Sequence, residues 1–543
     1  MNRQGEPTKE AWGSRLGVIL AVTGSAVGLG NFLRFPGLAA RYEGGAFMVP
    51  YFIALLLLGL PIAWVEWSMG RYGGAHGYNS SPAIFRLIWR NRAAPYFGVL
   101  SMIIPVVIYM YYVYIEGWCL AYALRYLCGR MDFGAEPTAY ERFFHQFVGW
   151  TGDGEALHTS GEGLLGSAVF FLIACFVLNF ILIYRGLSKG IEWFCSWAMP
   201  ALIVCALLVA VRVLTLGTPD PSKPEQNVLN GLGYMWNPTT SNISFCEALC
   251  NPEMWLAAAG QIFFSLSVGF GIIITYASYL GKNDDIALSS LTAAAGNEFC
   301  EVALGGLITV PAAFVFLGLS FVQDPPGTFG LGFVALPNVF NQMVFGRVVG
   351  FLFFFLLFLA AITSSLSMLQ PAIALLEEGL GLKRKASVAF LGFITAIGST
   401  FVVYFSKDLK VLDTFDFWVG TFAIYLLATF QVLLYGWVLG VERGWEELNR
   451  GAEIRIPHWV KYIIKYVSPV YLLTIFGFWF QQQFLQGPTK PGELTRLQQI
   501  QESSVVRFAL GFIGVVALLF ALLIAQSVKR WNKAERDRKE AAT

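Results

Sequence analysis

Two short stretches of this sequence place glycines and polar side chains among residues that are otherwise apolar. The first is TGSAVGLGNFLRFP, from Thr23 to Pro36, and the second is SLSVGFG, from Ser265 to Gly271. A helix that unwinds at such glycines frees backbone carbonyl oxygens, which suit a hard monovalent cation such as Na⁺. It also creates a half-helix N-terminus, whose N–H groups and dipole favour a carboxylate. The two stretches therefore predict a site for a cation and an anion together, as a Na⁺-coupled carrier of a carboxylate-bearing solute needs.

Polar side chains elsewhere in apolar stretches could converge on the same site. Asn31 and Asn297 carry amide groups that need hydrogen-bond partners in hydrocarbon. For a single serine or threonine, the commoner alternative is a hydrogen bond to a carbonyl of its own helix. The hydroxyl candidates are Ser265, Ser267, Thr363, Ser364 and Ser365.

Charged residues inside apolar stretches are functional candidates, because a charge in hydrocarbon is costly unless it has a partner. Arg34 follows the first stretch and Asp416 lies at the outer end of a later apolar segment, so the two could pair as a gate above the site. Glu301 follows Asn297 by one helical turn and should face the same region. For the other buried acids we favour structural pairing over function; these are Glu66, Glu116 and Glu298.

Several kinds of site are not indicated. The four histidines are scattered through loops and helix ends, which does not suggest a transition-metal site. No nucleophile with a base is apparent, and Gly28-Leu29-Gly30 does not follow a strand, so neither a catalytic triad nor a phosphate-binding loop is predicted. We therefore expect no enzyme activity, no organic cofactor and no nucleic-acid partner.

The composition places these residues in a membrane protein. Of the 543 residues, 56% are hydrophobic and 13% are charged, whereas a soluble domain carries about 25% charged residues. Reading for apolar segments of about 20 residues predicts an all-α polytopic membrane protein with twelve transmembrane spans. The predicted spans 1 to 12 are 14–41, 45–70, 94–127, 167–185, 191–216, 254–280, 287–320, 347–380, 387–406, 412–440, 459–483 and 505–528.

The distribution of charge predicts the orientation of the spans. Lys and Arg crowd the segments assigned to the cytoplasm, including the tail 529–543, whereas the loop 129–165 is acidic. By the positive-inside rule both termini are cytoplasmic, which requires an even number of spans. In the outer loop 217–253, Cys246 and Cys250 could form a disulfide or remain free thiols, and the sequence favours neither.

The two glycine-rich stretches lie in spans 1 and 6, at equivalent positions of two five-span units. Glycine-interrupted spans at matching positions are typical of transporters built from inverted repeats. The alternative is close helix packing through small residues, for which Gly24-x-x-x-Gly28 is a motif; we favour broken helices because polar side chains flank both stretches. The predicted organisation is a cytoplasmic N-terminus over 1–11, a first inverted repeat over 12–216, an extracellular loop over 217–253, a second repeat over 254–440, two further helices within 441–528 and a basic cytoplasmic tail over 529–543.

Four longer segments are distinctive enough to compare with known families. They are RLGVILAVTGSAVGLGNFLRFP, GGAFMVPYFIALLLLGLPIAWVEWSMGRYGG, GQIFFSLSVGFGIIITYASY and ITSSLSMLQP. These segments closely resemble the neurotransmitter:sodium symporter family, and most of all its bacterial amino-acid members, of which the leucine transporter is the prototype. The resemblance extends from about Trp12 through span 12. It implies that fold, with two inverted five-helix repeats, broken spans 1 and 6 and two extra helices, and transport by alternating access.

The resemblance also implies two sodium sites. The first would use the Ala26 carbonyl and the substrate carboxylate, together with the side chains of Asn31, Ser265 and Asn297. The second would use the carbonyls of Gly24, Val27 and Ala360 and the hydroxyls of Thr363 and Ser364.

The implied substrate pocket is closed by Tyr112, which would hydrogen-bond the carboxylate, and by Phe264. Its lining would consist of Ser25, Ala26, Leu29, Gly30, Ile108, Tyr112, Phe264, Ser265, Ser267, Phe270, Ser364 and Met368. Arg34 and Asp416 match an outer gate. An inner gate would comprise Trp12, Ser278, Tyr279, Gln370 and Glu378.

Two positions bear on the substrate and the ion. Monoamine carriers of the family place an aspartate where this chain has Gly28, so the resemblance implies a substrate that brings its own carboxylate, an α-amino acid. Chloride-dependent members lack an acid at the position of Glu301 and bind chloride near it, so we expect chloride independence. Proton uptake by Glu301 on the return step would move H⁺ outward as Na⁺ enters. The side chains that could surround its carboxylate are Tyr51, Gln261, Ser265 and Asn297.

The chain departs from the prototype at several positions. Ser25 replaces an asparagine beside the substrate, with an effect that the sequence does not predict, and Ser265 replaces a threonine but keeps the hydroxyl. Ile108 and Met368 occupy positions where the prototype has valine and isoleucine. Methylene-sized changes in an apolar pocket shift the selectivity between substrates by about 1–3 kcal/mol, so we expect small or medium aliphatic substrates. Lys9 replaces an arginine of the inner gate and cannot pair bidentately with a carboxylate there, which predicts a looser gate.

The sequence therefore predicts a Na⁺-coupled symporter of neutral amino acids in the lipid bilayer of a bacterial inner membrane, as a monomer or a homodimer. One alternative is a proton-coupled amino-acid transporter of the same fold, which loss of Thr363 or Ser364 would favour; both are present. A second alternative is a non-transporting amino-acid sensor, which we would expect to carry a cytoplasmic signalling domain.

Overall fold

The computed structural model describes residues 11–134, 136–158, 163–237, 244–323, 327–485 and 494–540. Within these ranges the regular elements are all helices, and no strand occurs. Lys9 of the predicted inner gate lies outside the described residues. The principal helices are α1 (Arg15–Ala26), α2 (Gly30–Arg41), α3 (Gly44–Ala75), α4 (Ser81–Ile88), α5 (Ala94–Leu127), α6 (Pro137–Phe147), α7 (Ala168–Tyr184), α8 (Leu187–Leu214), α9 (Val228–Trp236), α10 (Phe245–Leu249), α11 (Pro252–Leu266), α12 (Ile272–Ala277), α13 (Ile286–Leu317), α14 (Leu319–Gln323), α15 (327–341), α16 (Gly346–Leu380), α17 (Arg384–Tyr404), α18 (Lys407–Asn449), α19 (Val460–Leu485), α20 (Arg496–Glu502) and α21 (Ser504–Glu540).

All twelve predicted spans have helical counterparts. Of the helices in the described ranges, nine are long and apolar enough to cross a membrane, and the bent pair α1 and α2 makes a tenth. The remaining two predicted spans correspond to the 17-residue helix α7 and to the pair α11 and α12. The bounds differ most at span 10, predicted over 412–440, because α18 continues past Gly440 into the amphipathic segment Val441–Asn449.

The first span is broken in its middle. Helix α1 ends at Ala26, Val27 has an extended backbone, and α2 begins at Gly30, with a bend of 50° between the two helices. The opening turn of α2, Gly30–Arg34, is a π-helical turn. The glycines of the first stretch therefore coincide with a real interruption of the helix rather than with a packing motif alone.

The sixth span is broken in a different way. Between α11 and α12 the backbone of Ser267, Gly269 and Gly271 is left-handed, with φ of 53°, 79° and 82°. Glycine adopts this conformation without steric penalty, whereas at Ser267 it costs about 1–2 kcal/mol. In this conformation the Ser267 hydroxyl donates a hydrogen bond to the Ser25 carbonyl of span 1 at 3.0 Å.

The two broken spans pack in reciprocal positions. Helix α1 packs on the beginning of α13 and the opening turn of α2 on its π-helical turn Phe299–Gly305, while α11 and α12 pack on successive parts of α3. Helix α16 lies in the centre, against α5, α8 and α1. Span 1 thus packs on span 7, and span 6 on span 2, as two inverted five-helix units require.

Both ends of the described chain lie on one face, which we call the terminal face. Trp12 hydrogen-bonds the Tyr276 carbonyl at the end of α12, and Arg86 of α4 pairs with Glu535 of α21 at 3.0 Å. The opposite face is called the vestibule face. It carries the short helix α10, beside which Cys246 and Cys250 are both exposed and free.

Candidate functional site

The first break brings backbone carbonyls of span 1 against hydroxyls of α16. The Ser364 hydroxyl lies 3.2 Å from the Gly24 carbonyl oxygen, 3.3 Å from that of Val27 and 3.0 Å from that of Ala360. The Thr363 hydroxyl lies 3.1 Å from the same Ala360 oxygen. All five residues are buried. The oxygen atoms assigned by resemblance to the second sodium site therefore lie together, and hard oxygen donors of this kind suit an alkali cation.

Asn31 joins the parts of the first predicted sodium site. Its Oδ1 accepts a hydrogen bond from the Gly28 N–H at 2.8 Å, and its Nδ2 donates to Asn297 Oδ1 at 2.9 Å. Asn297 in turn donates to the Ser265 hydroxyl at 2.6 Å. Ala26 is the last residue of α1, which places its carbonyl at the start of the break. The three side chains expected at this site therefore form one connected cluster.

Glu301 lies against this cluster, fully buried in the π-helical turn of α13. Its carboxylate accepts hydrogen bonds from Gln261 Nε2 at 2.9 Å, from Asn31 Nδ2 at 3.0 Å and from the Ser265 hydroxyl. A carboxylate held by three neutral donors occupies the kind of environment in which a small anion could otherwise be bound.

Tyr51, also expected around Glu301, contacts both Glu301 and the neighbouring Glu298, and Asn297 contacts Glu298. The Tyr51 hydroxyl donates to one carboxylate oxygen of Glu298 at 2.8 Å, and Asn297 Nδ2 lies 3.4 Å from the other. The two acids of α13 thus belong to one polar region, with Glu298 on its less buried side.

The backbones of α2 and α13 touch beside Asn31. A Cβ atom at Gly305 would lie 2.1 Å from the Asn31 carbonyl oxygen, far inside van der Waals contact. Only glycine at this position allows the approach, which places Asn31 within reach of the polar side chains of α13.

Two glycines of the first break make room for aromatic side chains. A Cβ atom at Gly28 would lie 2.8 Å from the Tyr112 hydroxyl oxygen, and one at Gly30 would lie 2.8 Å from the Phe264 ring. The Tyr112 hydroxyl also accepts a hydrogen bond from the Leu29 N–H at 3.4 Å. The two aromatic residues expected to close the substrate pocket therefore pack directly on the break.

The other predicted lining residues occupy the surrounding elements and are buried. Ile108 lies one turn before Tyr112 on α5, and Met368 lies one turn after Ser364 on α16. Phe270 lies within the second break. The Ser267 hydroxyl donates to the Ser25 carbonyl at 3.0 Å and so ties the two breaks together.

A cavity of about 340 Å³ leads from the vestibule face to the pocket, where it reaches Leu29. Arg34 and Asp416 both line it. The Arg34 guanidinium lies 4.9 Å from the centre of the Phe264 ring, and Asp416 accepts a hydrogen bond from the Tyr111 hydroxyl at 2.7 Å. In the part of the chain that the structure describes, Arg34 and Asp416 make no ion pair within 4.0 Å. Arg34 and Asp416, which are expected to pair as an outer gate, therefore stand apart in this structure, and Tyr111 is a partner of Asp416 that the sequence did not reveal.

On the terminal face, packed side chains close the route to the predicted substrate pocket. Trp12 Nε1 donates to the Tyr276 carbonyl at 3.1 Å, with the two rings in edge-to-face contact at 5.0 Å. Gln370 Nε2 lies 3.4 Å from the Tyr279 hydroxyl. Residues expected at the inner gate thus join the ends of span 1, span 6 and span 8 on this face.

Glu378 and Ser278, the remaining inner-gate residues, meet at the segment between α3 and α4. Glu378 Oε2 accepts hydrogen bonds from the backbone N–H groups of Asn79 and Ser80 at 2.7 and 2.8 Å. The Ser278 hydroxyl lies 3.3 Å from the Asn79 carbonyl. Glu378 therefore has backbone partners that do not depend on Lys9.

Of the other polar candidates, Ser365 and Glu116 lie away from the site, whereas Glu66 hydrogen-bonds the backbone of Gly269 and Gly271 in the second break. Ser365 points from α16 to Glu116, to which it donates at 2.7 Å, and Asn179 donates to both oxygens of the same carboxylate at 3.0 and 3.1 Å. Glu66 accepts a hydrogen bond from Gln431 at 2.8 Å. The structural pairing predicted for Glu66 and Glu116 is what the structure contains.

Ser367, which no sequence pattern singled out, also lies beside the site. Ser367 is fully buried on α16, and its hydroxyl lies 2.7 Å from that of Ser25 and donates to the Ser364 carbonyl at 2.6 Å. One signal could have indicated it: Ser364 and Ser367 are spaced by three residues and therefore lie on neighbouring positions of one helix surface.

Comparison with known proteins agrees with this geometry. The model of the sodium:neurotransmitter symporter family matches residues 9–136 and 136–490. The chain is 31% identical over 479 residues to a sodium-dependent transporter of Methanocaldococcus jannaschii, covering 86% of this chain and 89% of that protein. It is 24% identical over 518 residues to the human sodium- and chloride-dependent creatine transporter 1, covering 87% of this chain and 77% of that protein.

A solved structure has the same architecture. The crystal structure of MhsT in complex with L-phenylalanine superimposes with a TM-score of 0.71 at 27% sequence identity, over 86% of this chain and 99% of that one. The fold of twelve spans in two inverted repeats and the match over most of the sequence lead to one assignment. The chain belongs to the sodium:neurotransmitter symporter family and is a multi-pass membrane transporter of that sodium-dependent class.

Proposed function

We propose that this protein is a Na⁺-coupled symporter of neutral amino acids, of small to medium aliphatic side chain, in a bacterial inner membrane. The observation that carries the proposal is the convergence of the Gly24, Val27 and Ala360 carbonyls on the Ser364 hydroxyl, with Thr363 beside it. In the absence of a cation these oxygens would be partly unsatisfied in a water-poor interior, at a cost that Na⁺ binding offsets. Na⁺ moving down its gradient would then provide the driving force for uptake.

The second cation position supports coupling to the substrate. Asn31, Ser265 and Asn297 supply polar side chains at one end of the first break, and Ala26 is the residue at which the helix before the break ends. A substrate carboxylate seated there would add a negatively charged oxygen donor to this set. Cation and substrate would then each raise the affinity of the other, because neither set of donors is complete alone.

The space at Gly28 supports an α-amino acid as the substrate. The residue at this position is glycine, in contact with Tyr112, so the protein offers no fixed acid here for an amine. The carboxylate would therefore come from the substrate and accept a hydrogen bond from the Tyr112 hydroxyl. MhsT, the structural neighbour, is seen with an amino acid, which supports the class; the aliphatic preference rests on Ile108 and Met368.

The surroundings of Glu301 support transport without chloride. Its carboxylate already accepts hydrogen bonds from Gln261, Asn31 and Ser265, donors that a bound chloride would otherwise use. A chloride ion bound beside these donors would also be repelled by the negative charge of the Glu301 carboxylate. Proton uptake by Glu301 on the return step is part of the same proposal.

The open vestibule and the closed terminal face support alternating access. Substrate and Na⁺ can reach the pocket through the cavity of about 340 Å³, while the contacts of Trp12 and Gln370 block the other exit. Pairing of Arg34 with Asp416 would close the vestibule before the terminal face opens. We assign the terminal face to the cytoplasm, where the positive-inside rule places both termini.

Uptake into proteoliposomes tests the proposal directly. Purified protein is reconstituted, and the uptake of a panel of radiolabelled neutral amino acids is measured with an inward gradient of Na⁺ or of choline. We expect Na⁺-stimulated uptake of at least one aliphatic amino acid that is unchanged when gluconate replaces chloride. Uptake that is equal in Na⁺ and choline would refute the sodium coupling, and a strict chloride requirement would refute the role given to Glu301.

A further inference from the structure

Ser25 and Ser367 form a hydroxyl bridge between span 1 and α16. The two side chains are buried, 4% and 0% exposed, and their oxygens are 2.7 Å apart across 342 residues of sequence. Neither the hydrogen bond nor Ser367 has a place in the sodium or substrate sites assigned above. Ser25 is also the position whose effect the sequence does not predict.

The direction of the hydrogen bonds follows from counting protons. A serine hydroxyl has a single proton to donate and can accept hydrogen bonds on its oxygen. Either hydroxyl could be the donor between Ser25 and Ser367; when the Ser367 proton is donated to the Ser364 carbonyl at 2.6 Å, the proton between the two hydroxyls comes from Ser25. The chain of donation then runs from Ser25 through Ser367 to the backbone of Ser364.

This chain connects three functional elements. Ser25 lines the predicted pocket and its carbonyl accepts the hydrogen bond of Ser267 from the second break. Its neighbour Gly24 provides a carbonyl to the second cation position. At the other end, Ser364 contributes both the carbonyl that receives the Ser367 proton and the hydroxyl of that cation position. The bridge thus fixes span 1 and α16 in one register immediately beside the cation.

We propose that Ser367 and Ser25 act as a positioning pair that couples the second sodium site to the amino-acid pocket, an inference that rests on the proposed function. The oxygens of that site come from two separate elements, Gly24 and Val27 on span 1 and Ala360 to Ser364 on α16. A cation binds them all only at one relative register, and a small displacement lengthens several contacts at once. The Ser25–Ser367 bond holds this register before the cation arrives.

The expected effect follows from the loss of this bond. Removing a neutral hydrogen bond weakens the linked equilibrium by about three- to tenfold. Ser367→Ala should therefore raise the Na⁺ concentration for half-maximal amino-acid binding about three- to tenfold. At saturating Na⁺ the amino-acid affinity should change less than about twofold, because Ser367 lies outside the pocket.

The experiment measures amino-acid binding to the purified full chain by scintillation proximity, as a function of Na⁺ concentration. The amino acid is the one that gives the largest Na⁺-stimulated uptake. Ser25→Ala should raise the half-saturating Na⁺ concentration like Ser367→Ala, and the double variant should resemble either single one, since both remove the same bond. Ser387→Ala is the matched control: it removes a buried serine on α17 whose hydroxyl bonds the Lys383 carbonyl one turn back.

A second variant separates hydrogen bonding from packing. Ser367→Cys fills nearly the same volume but hydrogen-bonds weakly, so it should behave like Ser367→Ala if the bridge matters. Recovery of the unmodified Na⁺ response by Ser367→Cys, additive effects of the two alanine substitutions, or an unchanged Na⁺ response in both alanine variants would each overturn the proposal. Absence of Na⁺-dependent binding in the unmodified chain would instead refute the proposed function.

Discussion

Replacement of Gly28 by alanine tests the geometry of the pocket most directly. The added methyl carbon would lie 2.8 Å from the Tyr112 hydroxyl oxygen and 3.2 Å from the Ser364 hydroxyl oxygen, shorter than the van der Waals separation of about 3.5–4.0 Å. The Ser364 hydroxyl lies within 3.3 Å of three backbone carbonyl oxygens and has little room to move, whereas the Tyr112 hydroxyl stands at the end of a long side chain. Relief of the clash must therefore come from a displacement of Tyr112.

The magnitude follows from this displacement. Insertion of one methyl group into a well-packed interior typically costs about 1–3 kcal/mol. Since the free protein can move Tyr112 outward but the substrate needs it in place, most of this energy should appear in the binding of the amino acid. We expect the dissociation constant of the amino acid to rise about 5- to 150-fold at saturating Na⁺.

The assay is equilibrium binding of the radiolabelled amino acid to purified protein in detergent. Gly37→Ala is the matched control, because its methyl group would lie 3.5 Å from Leu331, an ordinary contact, on the same helix α2. Tyr112→Phe removes the hydroxyl that the new methyl meets. The double variant should therefore be weakened by less than the sum of its two single substitutions. Binding to Gly28→Ala within twofold of the unmodified chain would show that the break has room for a side chain, and the argument for an α-amino acid would fail.

Three further predictions follow from other contacts. Thr363→Val combined with Ser364→Ala should abolish the stimulation of uptake by Na⁺, because both hydroxyls of the second site are lost; unaltered sodium dependence would show that the site is misassigned. Glu301→Ser leaves three hydrogen-bond donors without their carboxylate, so uptake should then require chloride, and chloride-independent uptake by this variant would contradict the role of Glu301. Arg71→Met removes one of the two arginines that pair with the buried Glu447 carboxylate, at 2.9 Å from Nε, and leaves Arg450 at 2.7 Å; the free energy of unfolding should fall by about 1.5–3 kcal/mol, measured by thermal unfolding in detergent, and a midpoint equal to that of the unmodified chain would refute this.

The architecture could be predicted from the sequence because its strongest signals are local. Long apolar segments gave twelve spans, and the glycines of Gly28-Leu29-Gly30 and Gly269-Phe270-Gly271 gave the two breaks. The π-helical turns Gly30–Arg34 and Phe299–Gly305 could not be predicted, because they arise from packing between two spans and leave no periodic signal. The end of α18 was missed for a related reason, since its last part is amphipathic rather than apolar.

The site was only partly accessible from the sequence. The resemblance gave the residues that the structure brings together, from Asn31 to Ser364, but it did not give their hydrogen bonds. Tyr111 and Ser367 were missed because a lone tyrosine or serine in a membrane helix has a common local explanation, and only long-range contact gives it a role. Likewise the sequence could name Arg34 and Asp416 as a pair but not the conformation in which they stand apart.

The close contact between Gly305 and the Asn31 carbonyl separates what can vary in this protein from what cannot. This contact involves backbone atoms, which are the same in every residue type. Any residue larger than glycine at Gly305 must therefore push helices α2 and α13 apart. The proposed pocket wall at Ile108 and Met368, by contrast, consists of side chains that can be enlarged or trimmed one carbon at a time. An engineer could therefore alter the range of amino acids accepted while the ion-binding end keeps its dimensions.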